Sequence, residues 1–172
     1  MHVLNVHERE FRSSPDRVGA LIDTLASPGD QLWPKHIWPR MWFDRPLGVG
    51  ASGGHGPIRY VVDEYTPQQS IVFRSPAPPG FHCFHRLHVE NGQSGGTILR
   101  HTIQMKATGI ATISWPVVIR PLHDALVEDA FTTADVALGE EPKTVPWSFW
   151  VRFLRFLSTR GKARAQCLPA NG

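Results

Sequence analysis

The 172-residue sequence is poor in cysteine and contains no long apolar run. Its two cysteines, Cys83 and Cys167, are too few for a disulfide scaffold, and nothing suggests a zinc site, so a reducing cytoplasm is the default expectation. No run reaches the roughly 20 apolar residues that cross a bilayer. The first residues lack the apolar core of a signal peptide. We therefore expect a cytoplasmic protein, soluble or at most peripheral at a membrane.

Two common catalytic signatures are also missing. The glycine-rich stretch 48–56 lacks the Lys-Ser/Thr pair of a phosphate-binding P-loop and has no strand–helix context, so we expect a flexible hairpin loop at the mouth of a cavity. No Gly-x-Ser-x-Gly nucleophile elbow is present. The run of His82, His85 and His88 looks like a zinc site on paper, but on a strand His85 points away from the other two. No metal and no cofactor are expected.

The formal net charge of +3 conceals an asymmetry between body and tail. Residues 141–172 carry six of the 18 lysines and arginines and a single acidic residue, whereas residues 1–140 are slightly acidic. The basic character therefore gives no argument for a nucleic-acid partner. We divide the chain into a domain, residues 1–140, and a basic aromatic tail, residues 141–172.

Within the tail, residues 146–160 suit a short helix. A narrow polar stripe runs along it from Ser148 to Thr159, and the remaining surface is aromatic or aliphatic. Such a helix fits an anionic lipid surface, a protein partner, a second subunit or its own domain, and these alternatives stay open. Residues 161–172 are expected to be disordered.

Most of the domain alternates apolar and polar residues, the pattern of strands with one buried face. Gly/Pro/Ser-rich turns separate these segments, and such short connections favour an antiparallel meander. The predicted strands are residues 2–12, 41–43, 58–65, 70–74, 81–89 and 97–107.

Helical signals flank the strand region. Ser13-Ser14-Pro15 supplies a helix start, and Pro28-Gly29 supplies its stop. Residues 30–39 are predicted to form a second short helix or an irregular turn. After Gly109 the apolar period becomes helical, which predicts a helix of about 20 residues that ends at Gly139. Its predicted apolar stripe comprises Val118, Leu122, Ala125, Leu126, Ala130, Thr133 and Ala137.

This order of elements resembles the helix-grip fold of the START-like, or SRPBCC, superfamily, which includes polyketide cyclase/dehydrase-like proteins. The resemblance covers residues 2–140 and implies an α+β fold, in which a curved antiparallel sheet wraps around a long C-terminal helix and two short helices follow the first strand. Because members of the superfamily typically hold an apolar ligand between sheet and helix, it also implies a cavity, but no particular reaction. The segments that carry it are residues 11–18 (FRSSPDRV), 60–67 (YVVDEYTP), 95–101 (GGTILRH) and 121–126 (PLHDAL).

His85 and His101 are the leading candidate site residues. Each has inward parity among apolar neighbours, and adjacent strands would bring the two imidazoles together, depending on register. A buried imidazole needs a partner. The alternatives are a core histidine satisfied by a neighbour or water, an anchor for the polar end of a ligand, and a general acid–base. The expected ligand-contacting set is Tyr60, Val62, Phe73, Cys83, His85, Leu87, Leu99, His101, Ile103, Leu122 and Leu126.

Three functions remain open at this point. The first is binding of a small hydrophobic molecule, of lipid, polyketide or aromatic type, between the sheet and the long helix. The alternative is a cyclase- or dehydratase-type enzyme that uses a cavity histidine as general acid–base. The third is an interaction protein whose interior is filled by Trp and Phe side chains and whose tail does the binding. Glu64 and Asp129 are expected at the surface.

Overall fold

A seven-stranded antiparallel sheet forms the centre of the computed structural model, which describes residues 1–92 and 95–166. The strands are β1 (His2–Phe11), β2 (Trp42–Phe43), β3 (Ser52–His55), β4 (Ile58–Thr66), β5 (Ser70–Ala77), β6 (Phe81–Asn91) and β7 (Thr97–Ala107). Their order in the sheet is β1-β7-β6-β5-β4-β3-β2, so the meander from β2 to β7 is closed by β1 at the far edge. The predicted strands and their antiparallel pairing are confirmed.

The helices pack against one face of this sheet. They are α1 (Pro15–Asp23), α2 (Ala111–Ser114), α3 (Arg120–Leu138) and α4 (Phe149–Gln166), with a π-helical turn at Trp115–Ile119 between α2 and α3. The sheet and the long α3 that packs against it give the expected helix-grip α+β fold. As predicted, α3 ends at Gly139, whose left-handed conformation (φ 75°) stops the helix.

Between β1 and β2 the described chain forms only one helix, α1, so the predicted second short helix is wrong and the alternative of an irregular turn is right. The Asp30 carboxylate explains the difference because it accepts the backbone N–H groups of Leu32 and Trp33, at 3.0 and 2.8 Å. Such local side-chain bonds satisfy the backbone outside a helix. Two prolines, Pro34 and Pro39, shorten any helical run further.

Strand β3 lies in the glycine-rich stretch that the sequence predicts to be a loop. It pairs with β2 on one side and β4 on the other. At Gly53 a Cβ atom would overlap the carbonyl oxygen of Trp42, so the close approach of β2 requires glycine there. The predicted loop is therefore in part a strand whose side chains were too small to show an alternating pattern.

The turn before α3 is set by proline. Pro121 has no N–H and cannot donate to the carbonyl of Val117, four residues earlier. The residues before α3 form the π-helical turn at Trp115–Ile119. The Val117 carbonyl in this turn accepts the indole N–H of Trp150 instead, at 2.7 Å. The free carbonyl thus fixes the start of α4 against the start of α3.

Helix α4 packs on its own domain at its first turns. The Ser148 hydroxyl accepts the backbone N–H of Val151 at 3.2 Å, which caps the helix, and Val151 is buried. The helix continues to Gln166, beyond the expected end at Arg160. Cys167 and the rest of 167–172 lie outside the described residues. None of the described helices is long and apolar enough to cross a membrane.

Candidate functional site

A cavity of about 590 Å³ lies between the sheet and α3. This volume is within the range of small-molecule sites, about 300–1,000 Å³. Most of the lining side chains are apolar; they come from the 30–41 turns, from β4 to β7 and from α3, while α4 contributes Arg155 and Ser158. The interior is therefore not filled by Trp and Phe side chains, and the third functional hypothesis loses its structural basis.

Three imidazoles meet on one side of this cavity. His85 and His101 lie on neighbouring strands at diagonal positions, since Leu87 is the residue opposite His101, and their ring centroids are 5.6 Å apart. His123 of α3 faces both rings, at 5.8 Å from His85 and 4.9 Å from His101. The sequence paired the first two correctly and missed the third.

None of the three imidazoles is fully satisfied by protein groups. Among the described residues no hydrogen bond reaches either ring nitrogen of His85, and the buried Nδ1 of His101 has no partner. His123 Nδ1 lies 3.4 Å from the Asp124 carboxylate. Burial lowers the pKa of His85 and His101 well below 6.5, and the neighbouring imidazoles lower it further. The imidazoles are therefore neutral near pH 7.

A second polar pair lies beside this cluster. The Nε2 atom of His55 on β3 is 2.9 Å from the hydroxyl of Tyr60 on β4, and the Tyr60 ring meets the His85 ring at 5.3 Å. Burial lowers the pKa of His55 to about 4 and raises that of Tyr60. Both side chains are uncharged at neutral pH, so the wall presents neutral donors and acceptors.

Nine of the eleven residues expected to contact a ligand line the cavity. Val62 and Leu99 do not line it, because they are fully buried in the core beneath the 30–41 turns and α1. The nine are Tyr60, Phe73, Cys83, His85, Leu87, His101, Ile103, Leu122 and Leu126.

On α3 the predicted stripe covers half of the contact surface. Leu122, Leu126 and Ala130 line the cavity as expected, as does Val118 in the π-helical turn before α3, whereas Ala137 is exposed. A second row lies one residue further on and includes His123, Val127 and Phe131. A helix held in a concave sheet is contacted over a wide arc, and this is why both rows are covered.

Polar residues of β1 face α3 beside the cavity and form what we name the β1–α3 polar interface: Asn5, His7, Arg9, Asp124, Glu128 and Asp135. Both ring nitrogens of His7 meet carboxylates, Asp124 at 3.0 Å and Glu128 at 2.9 Å, so the protonated imidazolium fits. The hydrogen bond to Asp124 raises the pKa of His7, although burial opposes it. On the opposite face of β1, Leu4 and Val6 point outward and are 72% and 46% exposed.

Asp129 has a different position from the one expected. Its carboxylate accepts the indole N–H groups of Trp38 and Trp147, at 2.7 and 2.9 Å, and so links the 30–41 turns to the segment before α4. The Arg155 guanidinium lies 4.4 Å above the Trp38 ring. Asp129 is thus a structural anchor, while Glu64 is exposed as expected.

Two groups of side chains within the described residues converge closely enough to hold a metal ion. In the first, the ligand nitrogens of His85, His101 and His123 lie within 4.8 Å of one another. The second combines His7, His123 and Asp124. In contrast, His82 and His88 do not line the cavity, in agreement with the strand argument against a site built on that run.

No protein-family model matches the sequence, and no curated protein matches it significantly. Solved structures are similar in fold. Norcoclaurine synthase from Thalictrum flavum, a point mutant in complex with a transition-state analogue, superposes with a TM-score of 0.62 at 14% identity, over 81% of this chain and 96% of the other. CalU16 from Micromonospora echinospora has a TM-score of 0.57 at 12% identity, over 97% and 89%.

A third similar structure is the di-domain ARO/CYC protein StfQ of the steffimycin biosynthetic pathway. Its TM-score is 0.57 at 12% identity, and the match covers 78% of this chain and 50% of StfQ. At such identities the likeness shows the fold. The protein has the helix-grip fold that these structures share.

Proposed function

We propose that the protein binds a small hydrophobic molecule of lipid, polyketide or aromatic type, and that His85 and His101 contact its polar end. The observation that carries this proposal is the 590 Å³ apolar cavity with unsatisfied imidazoles on one wall. An apolar chamber favours a hydrophobic ligand, and a few convergent polar groups orient it. A ligand hydroxyl or carbonyl would supply the partner that these rings lack.

The similar structures support a small-molecule role. One of them, norcoclaurine synthase, was solved with a transition-state analogue, and another, StfQ, belongs to the steffimycin biosynthetic pathway. The proposed contact set is the nine cavity-lining residues named above, together with His123.

A cyclase- or dehydratase-type reaction in the same cavity needs a general base. A base works best when its pKa lies near the working pH. Because burial lowers the pKa of His85 and His101 well below that range, both are weak bases, which favours binding over acid–base catalysis. Liquid chromatography with mass spectrometry of a co-purified ligand before and after incubation decides between the two. Dehydration would lower the ligand's mass by one water, and cyclisation without dehydration would change its retention time at constant mass.

Filling the cavity tests the binding proposal. The probe is 1-anilinonaphthalene-8-sulfonate, an aromatic anion that fluoresces in apolar sites. We expect Leu122→Trp, which adds bulk inside the cavity, to weaken probe binding at least about tenfold, a loss of roughly 1.4 kcal/mol. The matched control is Leu4→Trp on the outer face of β1, which leaves binding unchanged. Equal binding by wild type and Leu122→Trp would contradict the proposal.

A second candidate role concerns the outer face of α4. Phe149, Phe153 and Leu157 are exposed, at 84%, 40% and 50%, and the helix sequence carries five basic residues and no acidic one. We infer that this face contacts anionic lipid, since basic helices with exposed aromatic and aliphatic side chains bind anionic lipid surfaces.

Vesicle co-sedimentation tests this role. Wild type is expected to pellet with phosphatidylserine-containing vesicles, less so with phosphatidylcholine alone, and Phe149→Ser/Phe153→Ser is expected to stay in the supernatant. A wild-type protein that never pellets contradicts lipid contact. If native mass spectrometry then shows a dimer that the double variant loses, the face is a subunit contact instead.

A further inference from the structure

We propose that His85, His101 and His123 bind one divalent transition-metal ion, zinc in the first instance, at the polar end of the cavity. This site goes beyond the proposed function, because it requires no organic ligand. Imidazole nitrogens suit zinc, copper, nickel and iron.

The geometry is close to that of a bound ion. The three nitrogens lie within 4.8 Å of one another, and zinc bonds to histidine nitrogen at about 2.0–2.1 Å. Around the centre of such a triangle, a shift of less than about 1 Å per imidazole brings all three nitrogens into bonding distance. The rings come from β6, β7 and α3, three elements held together by the fold, so convergence does not depend on a loop.

One of the three imidazoles carries a buried nitrogen without a hydrogen-bond partner. His101 is only 8% exposed, and its Nδ1 has no hydrogen-bond partner among the described residues. A buried polar atom without a partner costs free energy of folding. Metal ligation uses the lone pair of an unprotonated imidazole nitrogen.

Asp124 supplies the outer support that metal-bound histidines usually have. Its Oδ1 lies 3.4 Å from His123 Nδ1 and is held in turn by His7 at 3.0 Å and Asn5 at 3.1 Å. When His123 donates its Nδ1–H to this carboxylate, the lone pair of Nε2 is left for a metal.

The alternative group of His7, His123 and Asp124 is a weaker candidate. His7 has both ring nitrogens engaged by carboxylates, so no lone pair is available on it. The carboxylate oxygen of Asp124 already receives contacts from Asn5, His7 and His123. This group therefore serves as support for the three-histidine site.

Three protein ligands leave a coordination position open toward the cavity. A tetrahedral ion fills it with water or with a ligand oxygen. The ligand class that fits is a hydrophobic molecule with a carbonyl, phenolic or carboxylate oxygen, which the ion would bind and polarise as a Lewis acid.

The test uses the full chain, treated with EDTA, dialysed and kept free of organic ligand. Zinc chloride is titrated by calorimetry, and cobalt chloride is titrated by visible absorption, whose d–d bands report nitrogen ligation. We expect one ion per chain and a zinc-dependent rise in Tm, because an ion that binds only the folded state stabilises it. His85→Asn and His101→Asn are each expected to lower affinity by more than the roughly 10- to 100-fold typical of losing an outer-shell partner.

Two control variants each remove one histidine, as the ligand variants do, but outside the three-histidine group. His55→Gln removes a cavity imidazole outside the cluster, and His82→Asn removes one from the outer face of β6; both are expected to retain wild-type affinity. Circular dichroism and Tm of the metal-free proteins show whether each variant folds. If only one of His85→Asn and His101→Asn folds, that variant alone tests the site. Absence of stoichiometric binding by wild type, or equal loss in His82→Asn, overturns the site. Probe binding in EDTA reports on the cavity separately, so the two proposals fail independently.

Discussion

The β1–α3 polar interface and the cavity wall both place polar side chains beneath α3. The two regions differ in whether these side chains have charged partners within the protein. At the interface Arg9 is only 8% exposed and bonds to Asp135 at 2.6 Å and Glu128 at 2.9 Å. On the cavity wall His85 and His101 have no such partners among the described residues. The first set fastens the edge strand to the helix, whereas the second remains available to something that the chain itself does not supply.

This difference separates structural from functional polar groups. A buried group that is paired belongs to the stability of the fold, and removing its partner is costly. A buried group that is unpaired lowers stability and persists where a binding role retains it. At the interface Asn5 Oδ1 and Asp135 Oδ1 are also buried without a hydrogen-bond partner among the described residues. The two regions therefore differ in their ion pairs, which Arg9 makes with Asp135 and Glu128 and which His85 and His101 lack.

Arg9→Ala gives the largest expected effect. It leaves the fully buried carboxylate of Asp135 without its guanidinium, so the free energy of unfolding should fall by about 3–5 kcal/mol. Urea denaturation followed by circular dichroism measures this. The control is Arg100→Ala, which breaks ion pairs with Glu8 and Glu90 on the outer face and should cost about 0–1 kcal/mol. Equal losses in the free energy of unfolding for Arg9→Ala and Arg100→Ala would contradict the structural role of the buried ion pairs.

Asp129→Ala tests pairing on the cavity side of α3. Asp129 accepts two indole N–H groups, and its loss leaves those of Trp38 and Trp147 without an acceptor. We expect the free energy of unfolding to fall by about 1–3 kcal/mol and hydrogen exchange in α4 to speed up. Glu64→Ala, at an exposed site, should stay within about 0.5 kcal/mol. If Asp129→Ala costs no more than Glu64→Ala, the two hydrogen bonds of Asp129 contribute nothing measurable to the stability of the fold.

Sequence periodicity predicts the sheet well because alternation is a local property. The inward sets of β6 and β7 follow directly from it, and so does the pairing of His85 with His101. Seven of the nine strand residues that are expected to contact a ligand line the cavity for the same reason.

What the sequence does not reveal depends on partners far along the chain. Arg9 and His7 look solvent-facing on β1 until Asp135 and Glu128 of α3 are known to lie opposite. His123 escapes notice because only the curvature of the sheet shows that α3 is contacted over two rows. β3 is hidden because its glycines record a close backbone approach and carry no alternating side chains.

His55 lies between the two classes, since it is neutral but paired with Tyr60. Its folded pKa of about 4 is below the 6.5 of the unfolded chain, so between these values only the unfolded state takes up the proton. Stability is therefore full above pH 6.5 and falls as the pH drops toward 4, by about 1 kcal/mol for this group at pH 5.5. His55→Gln should flatten the acid slope in a denaturation series, and His36→Gln, at an exposed site, should not. Identical slopes for wild type and His55→Gln would mean that folding does not lower the pKa of His55.

The smallest expected change in stability comes from His101→Leu, and it separates the two regions most sharply. Leucine has a similar volume, and it replaces a ring whose Nδ1 is buried without a partner, so no hydrogen bond is lost and an unsatisfied atom is removed. With EDTA present, we expect the free energy of unfolding to stay within about 1 kcal/mol of wild type or to rise, in contrast to Arg9→Ala. Chemical denaturation at pH 7 measures it, with His82→Leu on the outer face of β6 as the control. A loss near that of Arg9→Ala would mean that His101 holds the fold together, and the cavity imidazoles would then belong with the structural groups.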